Sequence, residues 1–236
     1  MYWFDPMYLL FIGPAVLLGF VAQMMVRSAY ASARQQPSRL SGVAAARHVL
    51  DSAGLQEIGI EMIPGQLSDH YDPRHKVLRL SQDVYNGRNL AAVGIAAHEA
   101  GHAIQDARHY APLVVRNLAV PVAGFGSQIG GLLLVVGLIM SAMGHAWQPF
   151  GQTIFKLGVI LFGTVVVFQV VNLPVEFDAS ARAKAQLVSL GIVDGHDMGP
   201  VRRVLRAAAL TYVAATLQAI LTLAYYVWRM QQQSDR

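Results

Sequence analysis

Four long apolar stretches limit the folds that are open to this chain. A helix needs roughly 20 residues to cross the hydrocarbon core of a bilayer. The stretches are Met7–Val26, Leu118–Met143, Leu157–Leu173 and Ala207–Trp228, and none contains a charged residue. Because backbone polar groups must be satisfied within the chain in lipid, each stretch is predicted to be a helix. The chain is therefore predicted to be a mainly α, polytopic membrane protein with about four transmembrane helices.

The distribution of positive charge predicts how the chain is threaded through the membrane. Residues 27–116 carry ten Lys and Arg residues and residues 174–206 carry five, whereas residues 1–6 and 144–153 carry none. Basic segments beside apolar stretches are retained on the cytoplasmic side. Both basic segments are therefore predicted to be cytoplasmic, with both termini across the membrane. The net charge of +4 is explained by topology, so a lipid bilayer is the expected partner and nucleic acid is not.

These features divide the chain into five predicted parts. They are an N-terminal transmembrane anchor (1–29), a cytoplasmic part (30–116), a transmembrane hairpin (117–173), a second cytoplasmic segment (174–206) and a C-terminal transmembrane helix with its tail (207–236). The first part is predicted to be a retained anchor rather than a signal peptide, because no basic residue precedes its apolar run.

A five-residue motif, His98-Glu99-Ala100-Gly101-His102, carries the catalytic chemistry of the sequence. On a helix its two histidines lie one turn apart on the same face, where they can bind one Zn²⁺. Glu99 is then placed to act as the general base on a zinc-activated water. The apolar residues Leu90–Ala97 before the motif predict a buried helix, in which unpaired His and Glu would be costly. Cysteine is absent, so the metal ligands must be His, Asp or Glu.

The segments around this motif predict a small α+β core resembling that of zincins. Periodicity and polar clusters predict a helix over 41–52, a strand over 54–64, a polar turn over 68–75, a strand over 76–81, a turn over 83–88 and a helix over 89–107. Val77–Ser81 is predicted to be an edge strand that takes an extended peptide by β-augmentation. A small structural hairpin is the alternative.

A catalytic zinc requires a third protein ligand. The metzincin pattern is excluded because Gln105 and Arg108 occupy its last two fixed positions. Glu176 and Asp178 are the only acidic residues between Asp106 and Asp194. They follow the predicted transmembrane hairpin, which returns them to the side of the two histidines. Glu176 comes first and is predicted to be the third ligand.

Four further residues are candidates for supporting roles. Ser180 shares a helical face with the predicted third ligand and can orient a metal ligand. On a helix Asp178 cannot face the metal together with Glu176, and the alternative to a supporting role for Asp178 is an ordinary surface ion pair or membrane-edge charge. Arg182 is a candidate for binding substrate or a developing oxyanion, and an ordinary ion pair is the alternative. Asp106 can orient the second histidine of the motif or can be a solvated charge.

Two segments, His98–Gln105 and Leu173–Ser180, resemble the bacterial YugP-type family of membrane neutral zinc metallopeptidases. The similarity covers nearly the whole chain, including Tyr71-Asp72-Pro73 and Val77–Leu80. It implies an endopeptidase with one zinc per chain in the bacterial inner membrane. A more distant similarity is to heat-shock and CAAX-processing membrane proteases, which have an Asp where this chain has Ser180.

The sequence therefore predicts a membrane zinc endopeptidase that hydrolyses peptide bonds with a zinc-activated water at the cytoplasmic face. Its expected partners are protein or peptide substrates, with membrane proteins among the candidates, and no oligomeric state is predicted. The alternative is a non-proteolytic membrane scaffold with a structural or vestigial zinc site. Glu99 favours the enzyme, because a purely structural site does not need a general base.

Overall fold

The computed structural model describes residues 5–234 and confirms a mainly α protein with a small sheet. The helices are α1 (Pro6–Arg34), α2 (Gly42–Ser52), α3 (Gln82–Asn86), α4 (Leu90–Ala107), α5 (Ala111–Ala142), α6 (Gln148–Ser189) and α7 (Met198–Ser234). The strands are β1 (Gly59–Ile63), β2 (His70–Asp72) and β3 (Val77–Ser81).

Four of these helices, α1, α5, α6 and α7, are long and apolar enough to cross a membrane. Large apolar side chains on them are exposed, among them Leu10, Phe20 and Leu118. Such apolar surface is costly in water and suits the hydrocarbon of a bilayer. The prediction of a polytopic membrane protein with four spans is thereby confirmed. Helix α6 continues well past the predicted third span and includes Pro174.

The described chain falls into two compact units. Unit 1 comprises Met1–Phe20, as far as it is described, with Val115–Asn172 and Tyr212–Arg236. Unit 2 comprises Val21–Val114 and Leu173–Thr211. Most residues of the predicted spans lie in unit 1, whereas both segments with candidate metal ligands lie in unit 2. The five-part division of the chain relative to the membrane stays a prediction.

Close contact at glycines joins α5 to α6 within unit 1. An ideal Cβ on Gly137 would lie 2.5 Å from the backbone nitrogen of Phe155, and one on Gly158 would lie 2.8 Å from that of Leu134. Phe155 and Leu134 are themselves buried. Small residues let helix backbones approach closely in membranes, where packing rather than water drives association.

The sheet of unit 2 has the strand order β1-β3-β2. Strand β3 pairs in parallel with β1 and antiparallel with β2. The prediction that Val77–Ser81 is an edge strand is therefore wrong, because both of its sides are already paired. The edge strands are β1 and β2. Strand β2 has only three residues and lies within the segment that was predicted to be a polar turn.

Helix α4 forms the centre of the core of unit 2 and packs on α2. Both helices begin where the sequence predicts. The Asn89 side chain accepts a hydrogen bond of 2.9 Å from the backbone of Ala92, and the Ser41 side chain caps α2. Such side chains satisfy backbone donors that have no partner within the helix. Two local predictions were wrong: the first strand covers only Gly59–Ile63, and helix α3 replaces the predicted turn at 83–88.

Candidate metal centre

Three predicted ligands converge within unit 2: His98 and His102 from α4 and Glu176 from α6. The Glu176 Oε2 atom lies 3.3 Å from Nε2 of His98 and 3.7 Å from Nε2 of His102. Around a tetrahedral zinc with bonds of about 2.0–2.1 Å, neighbouring ligand atoms are separated by about 3.3–3.4 Å. Both distances are close to this separation, and all three donor atoms lie within 4.8 Å of one another, so they could bind a single zinc ion.

One oxygen of the Glu176 carboxylate lacks a hydrogen-bond donor among the described residues. Its side chain is buried, and among the described residues its Oε2 atom accepts no hydrogen bond. A buried carboxylate oxygen without a partner is costly. A cation bound between this oxygen and the two imidazole nitrogens would remove that cost. Two imidazoles and one carboxylate are also a donor set that catalytic zinc uses, so the residues present fit the metal.

Gly101, inside the histidine motif, permits this convergence. An ideal Cβ at this position would lie 2.7 Å from the carbonyl oxygen of Ala179 on α6. The backbones of α4 and α6 therefore approach each other directly between the two histidines. Any side chain at Gly101 would push the helices apart and separate His98 and His102 from Glu176.

Hydrogen bonds at the far side of each imidazole direct both rings towards Glu176. Nδ1 of His98 lies 3.2 Å from the Ser180 hydroxyl, and Nδ1 of His102 lies 3.0 Å from Oε1 of Gln105. Because an amide oxygen can only accept, the neutral His102 ring carries its proton on Nδ1 and has a free lone pair on Nε2. This arrangement is the one that metal-binding histidines usually have.

Gln105 also joins the two helices that supply the ligands. Its Nε2 donates hydrogen bonds of 2.8 Å both to the backbone carbonyl of Val175 and to Oδ2 of Asp178. The side chain is fully buried, so these bonds are shielded from water. Gln105 was not predicted from the sequence to have a role at the site. Its position three residues after His102, on the same helical face, was the available signal for its role.

Asp178 and Arg182 pair with each other beside the centre. Arg182 Nε donates to Asp178 Oδ2 at 2.5 Å, and its guanidinium lies 5.7 Å from the centroid of the Tyr110 ring. Arg182 therefore forms an ion pair with Asp178, which was the alternative to a role in binding substrate. Asp178 does not face the two imidazoles and instead holds Gln105.

The structure does not bring Asp106 to His102. Asp106 Oδ2 accepts hydrogen bonds from the Tyr71 hydroxyl at 2.7 Å and from Lys76 Nζ at 2.6 Å. The interpretation that Asp106 orients His102 is therefore wrong. Tyr71 of β2 and Lys76, which directly precedes β3, donate to Asp106, and Gln105 Oε1 instead lies next to Nδ1 of His102.

Burial shifts the protonation equilibria of the centre. Burial raises the pKa of Glu99, although the neighbouring imidazoles oppose the shift. Burial by itself would lower the pKa of His102, but the carboxylates of Glu176 and Glu99 outweigh it and raise the pKa. A carboxylate with a raised pKa is a better match for general base catalysis near neutral pH.

Comparisons with known proteins identify a family and a relative that the chain resembles. Residues 8–231 match a protein family described as "Putative neutral zinc metallopeptidase". The chain is also 40% identical over 215 residues to the "Putative membrane protease YugP" of Bacillus subtilis strain 168, a match that covers 90% of this chain and 92% of the relative. No solved structure matches the chain.

Proposed function

Because the chain belongs to this zinc metallopeptidase family, we propose that it is a membrane zinc endopeptidase with one zinc per chain. The observation that carries the proposal is the convergence of His98, His102 and Glu176, with the Glu176 Oε2 atom buried and without a hydrogen bond. Nε2 of each histidine and Oε2 of Glu176 would hold the metal.

Glu99 is the proposed general base. When bound, zinc lowers the pKa of a coordinated water and polarises the carbonyl group of a substrate. Glu99 follows His98 directly on α4 and is buried beside the two imidazoles. Its carboxylate takes a proton from the attacking water and then delivers it to the nitrogen of the leaving amine. Its raised pKa favours both transfers near neutral pH.

Three residues of this chain prepare the centre without contacting the reacting atoms. Ser180 and Gln105 hold the rings of His98 and His102, and the Nε2 atoms of both rings lie near Glu176 Oε2. Asp178 fixes Gln105 in turn. Partners of this kind keep metal ligands in their binding geometry before the metal arrives.

The membrane location follows from the four long apolar helices and from the relative described as a membrane protease. We further propose that the protein lies in the bacterial inner membrane with its active site at the cytoplasmic face. The fifteen Lys and Arg residues in 27–116 and 174–206 support this orientation. Its substrates would be proteins or peptides that reach this face, including membrane proteins.

Metal content and casein cleavage, measured together, test the proposal. His98→Ala should lose both zinc and activity, whereas Glu99→Gln should retain zinc and lose activity, because a general base is not a ligand. His48→Ala, which removes an exposed histidine from α2, is the matched control and should change neither. A non-proteolytic scaffold would bind zinc without any cleavage that depends on Glu99.

A further inference from the structure

A groove between α1 and α7 within unit 2 lies apart from the candidate metal centre. Its volume is about 610 Å³, and none of its lining residues belongs to the centre. Val21, Met24, Met25 and Ser28 contribute to its α1 side, and Arg203 and Arg206 to its α7 side. The groove is therefore apolar on one wall and cationic on the other.

The two arginines lack acidic partners among the residues that the structure describes. They are three residues apart on α7 and so share a helical face, and both are exposed. Among the described side chains, neither Arg203 nor Arg206 has a carboxylate within ion-pair distance. Two neighbouring unpaired guanidinium groups favour a bound anion, and their planar forks match the oxygens of a phosphate.

The apolar wall belongs to residues that are predicted to lie in lipid. Met24 and Met25 are 62% and 46% exposed, and both fall at the end of the predicted first span, Met7–Val26. Arg203 and Arg206 come directly before the predicted last span, which begins at Ala207. The groove therefore extends from the predicted hydrocarbon layer to the predicted layer of cytoplasmic head groups.

We propose that this groove binds one anionic phospholipid of the cytoplasmic leaflet. The phosphate lies between the guanidinium groups of Arg203 and Arg206, and an acyl chain lies along Val21, Met24 and Met25. Basic pockets between transmembrane helices on this side suit anionic head groups. A zwitterionic phospholipid offers the same chains and phosphate, but its added cation is repelled by the two arginines. The site is independent of the peptidase activity.

Native mass spectrometry of the full-length protein in detergent tests the proposal. The probes are dioleoyl phosphatidylglycerol and dioleoyl phosphatidylcholine, and the readout is the number of lipids retained per chain. The wild type should retain one phosphatidylglycerol in preference to phosphatidylcholine. From the usual contribution of a basic residue near anionic lipid, Arg203→Gln should reduce this preference about fivefold, and Arg203→Gln with Arg206→Gln by an order of magnitude or more.

Arg202→Gln is the matched control. Arg202 is exposed on the same helix but does not line the groove. Its loss removes the same charge and should leave the preference unchanged. Equal effects of Arg202→Gln and Arg203→Gln would show general surface attraction and overturn the site.

Ser28→Trp separates a lipid seated in the groove from simple attraction to charge. This change fills the groove at an exposed position of α1 and leaves both arginines in place. It should abolish retention of phosphatidylglycerol. Wild-type retention in Ser28→Trp would overturn the proposal. So would a lipid-free wild-type dimer that becomes a monomer in Ser28→Trp, because a second copy of the chain would then occupy the groove.

Discussion

Gln105 is a single buried side chain that connects parts of the candidate metal centre. It accepts from His102 and donates to both Val175 and Asp178, so one amide fixes a ligand ring and joins two helices. The bond to His102 acts on metal binding, because it sets the direction of the Nε2 lone pair. The bonds to α6 act on stability, because their loss would leave buried polar groups unpaired.

Gln105→Leu should therefore weaken zinc binding without removing a ligand. We expect a loss of about 10–100-fold in zinc affinity, the usual effect of removing such a partner. Competition with a chromogenic chelator measures it. Gln105→Glu, which keeps an acceptor for His102, should recover part of the affinity. Equal affinities for wild type and Gln105→Leu would contradict the positioning role.

Ser180→Ala removes the hydroxyl group that contacts the His98 ring. The hydroxyl contacts His98 alone among the metal ligands, and its loss leaves Gln105 and its bonds in place. We expect a smaller loss of zinc affinity than for Gln105→Leu. The same chelator competition, run on both variants, checks the order, and the reverse order would disprove it.

Protonation should oppose metal binding at this centre. The pKa of His102 and that of Glu99 are both raised in the folded metal-free protein. A raised pKa stabilises the folded state below the unfolded value, and this contribution is lost as the pH rises through the folded value. The metal-free protein should therefore lose stability as the pH rises above about 6.5. Zinc needs deprotonated ligands, so its stabilising effect should increase over the same range.

Thermal unfolding with and without zinc, followed between pH 6 and pH 8, measures both trends. The difference between the two unfolding midpoints should increase with pH. A difference that shrinks with increasing pH would show that the centre binds protons less readily than its burial and charges imply.

At the scale of helices, glycines determine how closely the elements pack. Gly101 lets α4 approach α6, and Gly137 lets α5 approach α6. In both cases the obstacle to a larger residue is backbone, which cannot rotate away as a side chain can. The two contacts serve different ends, since one lies in the candidate metal centre and the other lies within unit 1.

Gly101→Ala should weaken zinc binding while keeping every ligand. The added methyl group would meet the Ala179 carbonyl at 2.7 Å and move α4 away from Glu176. Gly94→Ala is the matched control on the same helix, because its methyl group would first meet a Val201 side-chain carbon at 3.0 Å, which can shift. Chelator competition should show a loss of affinity for Gly101→Ala and little change for Gly94→Ala.

Gly137→Leu should destabilise the membrane helices without affecting the metal ligands. Overpacking of this kind costs about 1–3 kcal/mol or more. Gly131→Leu introduces the same side chain on α5 at a position with nothing within 4 Å of an added Cβ. Unfolding in detergent should show a lower midpoint for Gly137→Leu than for Gly131→Leu. Equal midpoints would mean that α5 can move away from α6 at no cost.

The sequence predicted the long helices because their signals are local. Continuous apolar runs suffice to recognise α1, α5, α6 and α7. Strand β2 was missed because His70–Asp72 is polar and lacks apolar alternation, so only its partner β3 makes it a strand. Glu176 could be selected because acidic residues are scarce. The role of Gln105 depends on the orientation of His102, which a sequence does not contain.

At the scale of the whole molecule, the threading of the chain remains the prediction on which the cytoplasmic site depends. A reporter fused after Thr153 should behave as extracytoplasmic and one fused after Gln186 as cytoplasmic, because positive charge is concentrated in 27–116 and 174–206. Paired alkaline phosphatase and fluorescent protein fusions measure both positions. If both reporters lie on one side, the hairpin is wrong.

The three candidate ligands are far apart in the order of synthesis. His98 and His102 leave the ribosome on α4, whereas Glu176 comes later on α6, after the whole of α5. A nascent chain that has reached only Arg116 holds two of the three donors. During translation the centre is thus completed only after both helices of the predicted hairpin have begun to emerge. If the centre cleaves peptide bonds as proposed, a newly made molecule cannot do so before Glu176 has been synthesised.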